Sequence, residues 1–206
     1  MNEDGVQKKR GEGVEKATAP HAALSSAQVV CPVVGIGASA GGLEAFTRLL
    51  EHLPTTTGMA YVFVQHLDPT HASLLPSLLA RVTTMPVREI MNGMHAEPNQ
   101  VYVLPPNATL MLAQDTFLLG PLLALSAERF AIDSFLRSLA RERGPRAIGV
   151  LLSGTASDGT QGLQAIKAEG GVTLAQDARS AAFPHMPQSA IATGAVDHIL
   201  PPEEIA

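Results

Sequence analysis

The chain has 206 residues, of which 46% are hydrophobic, enough for one sizeable core; aromatics are only 4% and Trp is absent, so Leu, Val, Ile and Ala must fill it. A net charge of −5 without a basic patch interleaved with aromatics excludes nucleic acid as a partner. No apolar run approaches the ~20 residues of a membrane span, no N-terminal apolar region marks a secretory signal, and the single cysteine, Cys31, cannot build an intrachain disulfide framework. The composition therefore predicts a cytoplasmic location with no membrane insertion.

Residues 1–28, rich in Gly, Lys, Glu, Ala and Ser with little apolar periodicity, read as a flexible tail or linker, and residues 29–206 as one domain. The first strand is expected over Val29–Val34. A glycine turn, Gly35-Ile36-Gly37-Ala38-Ser39-Ala40-Gly41-Gly42, and a helix from Leu43 to Leu53 follow. A second strand is expected over Ala60–Val64 and a short helix over Ser73–Val82. Val101–Leu104, Thr109–Leu112 and Thr116–Leu119 read as short pieces of a hairpin excursion. An amphipathic helix over Ile132–Arg143 stops at Gly144-Pro145. Beyond it come a strand over Ala147–Leu152, a helix over Gly162–Glu169, a strand over Val172–Ala175, a helix over Pro187–Thr193 and a last strand over Val196–Leu200. The alternation predicts an α/β fold: a doubly wound, mostly parallel sheet in three layers, with a small antiparallel hairpin.

The glycine turn admits two readings. Gly37-x-Ser39-x-Gly41 has the spacing of a nucleophile elbow, in which flanking glycines remove side chains that would crowd a strained serine. Gly35-x-Gly37-x-x-Ala40 also fits a dinucleotide-binding fingerprint, although the second strand runs into Gln65-His66 rather than an acid. Ligands of open parallel sheets bind beyond the carboxyl ends of the strands. Ser39 follows the first strand, His66 the second, and Asp158 the strand ending at Leu152. A serine, a base and a carboxylate at one sheet edge are what nucleophilic acyl chemistry requires. Each residue also has a plainer role open to it: His66 as a polar loop residue, Asp158 as a cap on the helix that follows. Other histidines compete as the base: pairing His185 or His198 with Ser39 and Asp158 gives the Ser…Asp…His order of α/β-hydrolases, and His185 lies in a loop that could approach the site. His198 is expected in a strand, His52 near a helix end and His21 in the tail, while His71 and His95 have no evident partner. No metal-ligand spacing is present.

Gly37-Ala38-Ser39-Ala40-Gly41-Gly42, Gln65-His66-Leu67-Asp68-Pro69 and Gly154-Thr155-Ala156-Ser157-Asp158-Gly159 together resemble the three active-site blocks of the CheB-type protein-glutamate methylesterases of bacterial chemotaxis. Weaker matches are Arg129 through Phe135, Gln176-Asp177 with Met186-Pro187, and Asp197-His198-Ile199-Leu200-Pro201. The resemblance extends over about residues 30–206. It implies Ser39 as nucleophile, His66 as general base, Asp158 as the group orienting His66, and the backbone N–H groups of Ala40 and Thr155 as the oxyanion hole. It implies hydrolysis of glutamate γ-methyl esters on methyl-accepting chemotaxis receptor helices, glutamine deamidation as a companion reaction, and no cofactor. A methyltransferase domain or partner is a further implied association. The chain departs from the family pattern at Ala40, usually Thr; at Thr155, usually Met; and at His185, often Gly. Typical members also carry an N-terminal receiver domain, for which this chain has no room, so control by other means or membership of a larger protein is expected. A non-catalytic receptor-binding domain and a dinucleotide-binding module are the competing readings.

Overall fold

A computed structural model describes residue 1 and residues 31–65, 74–121 and 130–206. Nine strands, β1 (Val33–Ala38), β2 (Ala60–Gln65), β3 (Val87–Glu89), β4 (Gln100–Val103), β5 (Ala108–Ala113), β6 (Thr116–Pro121), β7 (Ala147–Leu151), β8 (Val172–Gln176) and β9 (His198–Leu200), are described in it. So are helices α1 (Gly42–His52), α2 (Leu75–Leu79), α3 (Ala131–Arg143), α4 (Thr160–Ala168), α5 (His185–Ile191) and α6 (Pro202–Ile205). Seven strands form one sheet in the order β3-β4-β2-β1-β7-β8-β9, every pairing parallel. β5 and β6 form a separate antiparallel hairpin.

The layers follow from the strand sequences. The central strands are apolar on both faces, as a sheet covered on both sides requires. On one face Val34, Ile36 and Phe63 pack with Phe46 and Leu49 of α1 and Leu79 of α2; Phe46 and Phe63 stack with ring centroids 4.2 Å apart. On the other, Val33, Val62 and Leu151 pack with α3, α4, α5 and the hairpin residues Leu110, Leu112 and Phe117. Gly35 and Gly149 are register partners in β1 and β7. A Cβ on Gly35 would come within 2.6 Å of Leu136, and one on Gly149 within 2.6 Å of Ile166, so α3 and α4 rest directly on the backbone of the sheet centre.

Three sequence expectations need correction. The first strand is Val33–Ala38 rather than Val29–Val34, so Gly35 and Gly37 lie inside the strand and only Ser39-Ala40-Gly41 turns. Residues 101–104 belong to the parallel sheet, where β4 pairs with both β2 and β3, and only the two later segments make the hairpin. The short strand β3 was not expected at all. The helix expected over Ser73–Val82 is the single turn Leu75–Leu79, with Pro76 in its first turn. Residues 1–28 of the expected tail, Met1 apart, lie outside the described residues.

Sequential connections lead from β1 to β2 on one side, and from β7 through β8 to β9 on the other. The chain therefore changes direction across the sheet between β1 and β7, and their carboxyl ends open a crevice at that point.

Candidate functional site

Ser39 is the first residue beyond β1. Its N–H donates to the carbonyl of Ser153 at 2.9 Å, which ties the turn to the loop after β7. Its own carbonyl accepts the Gly42 N–H at 2.9 Å and the Gln65 Nε2 at 3.3 Å. The chain reverses at Gly41, whose φ of 72° lies in the left-handed region, and α1 starts immediately after it with no side-chain cap. Ser153 is fully buried beneath this turn. Its hydroxyl donates to the Ala40 carbonyl at 2.8 Å and accepts the Phe183 N–H at 3.0 Å. Its N–H is bound by Gln176 Oε1 at 2.9 Å, and Gln176 in turn donates to Ser180. The serine turn is thus fixed from below by the hydrogen-bonded side chains of Ser153 and Gln176, neutral groups paired as buried polar groups require.

Asp158 stands at the end of the β7 loop and is 1% exposed. It does more than cap the helix that follows. Its Oδ2 accepts the N–H of Ile132 and its Oδ1 the N–H of Asp133, both at 2.9 Å, so its carboxylate spans the first turn of α3, a helix distant in sequence. Oδ1 also accepts the N–H of Gly159, the residue preceding α4, at 2.8 Å. Orphan donors and the positive end of the α3 dipole thus hold this carboxylate in one orientation. Asp158 makes a further interaction beyond these. Neighbouring Asp133 is itself buried; desolvation holds its carboxyl above the ordinary value, the Gly162 N–H pulls it back, and the Asp158 charge adds to the rise.

His66 falls among residues 66–73 and lies outside the described residues. Gln65, immediately before it, is the register partner of Ala38, immediately before Ser39. Ala40 sits in the serine turn and Thr155 two residues past Ser153. Among the described residues, no acceptor pairs with the backbone N–H of either. The structure therefore brings Ser39, Ala40 and the loop bearing Thr155 and Asp158 to the crevice between β1 and β7. His185 opens α5 with its Nδ1 3.5 Å from the Ala156 carbonyl, beside the same loop. The other described histidines lie elsewhere: His52 Nδ1 meets the Arg48 carbonyl, His95 meets Thr116 and His198 is exposed on β9. His21 and His71 lie outside the described residues.

Sequence reasoning missed Asp133 and the supporting roles of Ser153, Gln65 and Gln176, although all but Asp133 lie at or just past strand ends, where such supports are found. An open-sided depression of about 160 Å³ adjoins the serine turn, with Gly41, Arg48, Gln176 and Arg179 among its walls. A larger groove of about 900 Å³ runs between α3 and α4, and Ser39 is not among its lining residues. No described helix is long and apolar enough to cross a membrane. The position of the glycines also weighs against a dinucleotide loop, because Gly35 and Gly37 are strand residues and β2 ends in Gln65.

Comparison with known proteins agrees with this fold. Residues 34–206 match the family model for the CheB methylesterase. The chain is 35% identical over 172 residues to a protein-glutamate methylesterase/protein-glutamine glutaminase of Photorhabdus laumondii, covering 82% of this chain and 49% of that protein. It is 39% identical over 180 residues to a protein of the same name, of group 3 operon, from Pseudomonas putida, covering 84% and 52%. The chain thus spans about half the length of these curated relatives. Its fold superposes on the crystal structure of the Thermotoga maritima CheB methylesterase catalytic domain with a TM-score of 0.79 and 28% identity, covering 86% of this chain and 96% of that one. On sequence and fold together, the chain belongs to the CheB methylesterase family.

Proposed function

We propose that this chain hydrolyses glutamate γ-methyl esters on the helices of methyl-accepting chemotaxis receptors in the cytoplasm. The Ser39 oxygen attacks the ester carbonyl while His66 takes its proton, and Asp158 orients the imidazole and balances the charge it gains. The oxyanion of the tetrahedral intermediate accepts the N–H groups of Ala40 and Thr155, a contribution of about 3–4 kcal/mol per donor. His66 returns the proton to the leaving methoxide and methanol departs. Water, deprotonated by His66, then releases the glutamate carboxylate and restores Ser39. With a glutamine side chain the same steps release ammonia, which gives deamidation. No step requires a metal or an organic cofactor. A methyltransferase domain or protein acting on the same receptor glutamates is the natural partner.

The observation that carries this reading is the joint position of Ser39 and the Asp158 loop across the β1–β7 crevice, tied by the Ser39 N–H bond to Ser153. The left-handed turn at Gly41 sets Ser39 at the uncapped start of α1, where backbone N–H groups favour developing negative charge. The test is methanol release from methylated receptor fragments. Ser39→Ala keeps the fold and loses about 10³-fold or more in kcat; unchanged release in that variant removes the mechanism. Labelling of Ser39 by a fluorophosphonate separates this reading from a non-catalytic receptor-binding domain, which would leave Ser39 unlabelled.

A further inference from the structure

The buried carboxyl group of Asp133 is not needed by the mechanism above, yet it packs beside Asp158. It lies in the first turn of α3 and is 4% exposed. Its Oδ1 accepts the N–H of Gly162, in the first turn of α4, at 2.6 Å. Its own backbone N–H donates to Asp158 Oδ1 at 2.9 Å. Asp158, two residues before the start of α4, reaches the first turn of α3, and Asp133, in the first turn of α3, reaches the first turn of α4. The two helix N-termini are capped crosswise by two aspartates, each supplied by the other helix or the residue leading into it.

This arrangement leaves little slack. A Cβ on Gly162 would lie 2.5 Å from Leu136 Cβ, so only a glycine there brings α4 near enough for its N–H to meet Asp133. Gly159, between Asp158 and α4, has a φ of 90°. The loop carrying Asp158 is therefore clamped at both ends: at Ser153 by the serine turn and Gln176, and at Gly162 by Asp133. The second clamp ties the α4 end of this loop to the same turn of α3 whose N–H groups hold the Asp158 carboxylate.

We propose that Asp133 is a positioning residue for the esterase reaction: by holding the first turn of α4 against α3, it fixes the end of the loop that carries the Asp158 carboxylate. The inference rests on the reading of Ser39, His66 and Asp158 as the reacting groups. Asp133 touches no substrate atom. Its removal therefore lowers the rate of the chemical step and leaves substrate affinity alone, and misplacement of a catalytic group by about 1 Å costs up to about 10²-fold in rate.

The experiment measures kcat and KM for methanol release from methylated receptor fragments with the full chain and with Ser39→Ala, Asp133→Ala and Asp133→Asn. Asp133→Ala is expected to lose about 10–100-fold in kcat with KM within about twofold of the parent. Asp133→Asn keeps an oxygen that can accept the Gly162 N–H and is expected to recover kcat to within about threefold. A wild-type kcat in Asp133→Ala, a loss that falls on KM, or an Asn variant as impaired as the Ala variant overturns the proposal. Should Asp133→Ala fail to fold, Asp133→Ser, which withdraws the acceptor without removing it, is judged by the same criteria. Undiminished release by Ser39→Ala would instead overturn the underlying reading, so the two failures are told apart in one series.

Discussion

The helix that begins at the serine and the two helices that meet at the aspartate solve the same problem in opposite ways. α1 starts after Gly41 with its N-terminus uncapped by any side chain. α3 and α4 start with their leading N–H groups taken by Asp158 and Asp133. All three termini present orphan donors and the positive end of a dipole. The first is left open beside Ser39, where the proposed mechanism makes negative charge appear and disappear during turnover. The other two are closed by buried carboxyl groups, of which the proposed mechanism uses Asp158 to orient the base. One backbone feature thus serves as a vacancy in one place and as an anchor in the other. The choice is made by a glycine at the first and carboxylates at the second.

The largest effect that can break this contrast is expected at the anchor. Asp158→Ala removes the orienting charge and leaves the N–H groups of Ile132 and Asp133 buried without their acceptor. We expect kcat for methanol release to fall by about 10³–10⁴-fold, and stability in chemical denaturation to fall by about 1–3 kcal/mol. A variant that lost stability but kept kcat would show that the carboxylate is an anchor only. The next effect is expected at the vacancy. In Gly41→Ala the backbone is held at φ 72° and the new Cβ lies 2.8 Å from Ser153 Oγ. The left-handed strain costs about 1–2 kcal/mol. Relief of the contact moves the hydroxyl that holds the Ala40 carbonyl, and with it the whole serine turn. We expect kcat to drop by at least tenfold. An alanine variant as active and as stable as the parent would mean that the turn does not depend on its glycine.

The two halves of this contrast were not equally legible. The placement of Ser39 and Asp158 at one edge of the sheet could be read because they lie just past runs that are apolar enough to be buried strands, and ligands of such sheets bind beyond strand ends. The glycines of β1 misled the placement of the turn. Gly35 and Gly37 look like turn residues locally, and only the arrival of Leu136, Phe135 and Ile132 from α3 explains glycine inside a buried strand. β4 was read with the hairpin because nothing in Gln100–Val103 says that its partners are β2 and β3. The crosswise caps were invisible for a related reason. Capping patterns are read a few residues along the chain, whereas Asp158 and the donors on α3 are separated by 25 and 26 residues. Tertiary packing decided each of these features.

A third carboxylate, at the edge of the sheet, provides the control for the buried pair and the smallest effect. Asp197, just before β9, accepts the N–H of Thr173 at 3.0 Å and its hydroxyl at 2.9 Å, and pairs with the exposed Lys167. The Lys167 ammonium, then the Thr173 donors, hold its carboxyl down at about 2, against 3.8 for an ordinary aspartate. A depressed folded-state value means that the ionised form favours folding. The stabilisation is complete above about pH 4 and is lost as the pH falls toward 2. Asp133 has the opposite sign, since burial raises its value and folding favours its protonated form. Because Lys167 is half-exposed, Asp197→Asn should cost less than about 1 kcal/mol at pH 7. Denaturation of parent and variant between pH 7 and pH 2 should show that gap closing below about pH 4, with methanol release at pH 7 unaltered. A gap that stayed constant with pH would mean that hydrogen-bond geometry at Thr173, rather than charge, holds this edge. A loss of methanol release would mean that the edge of the sheet is coupled to the crevice at its centre.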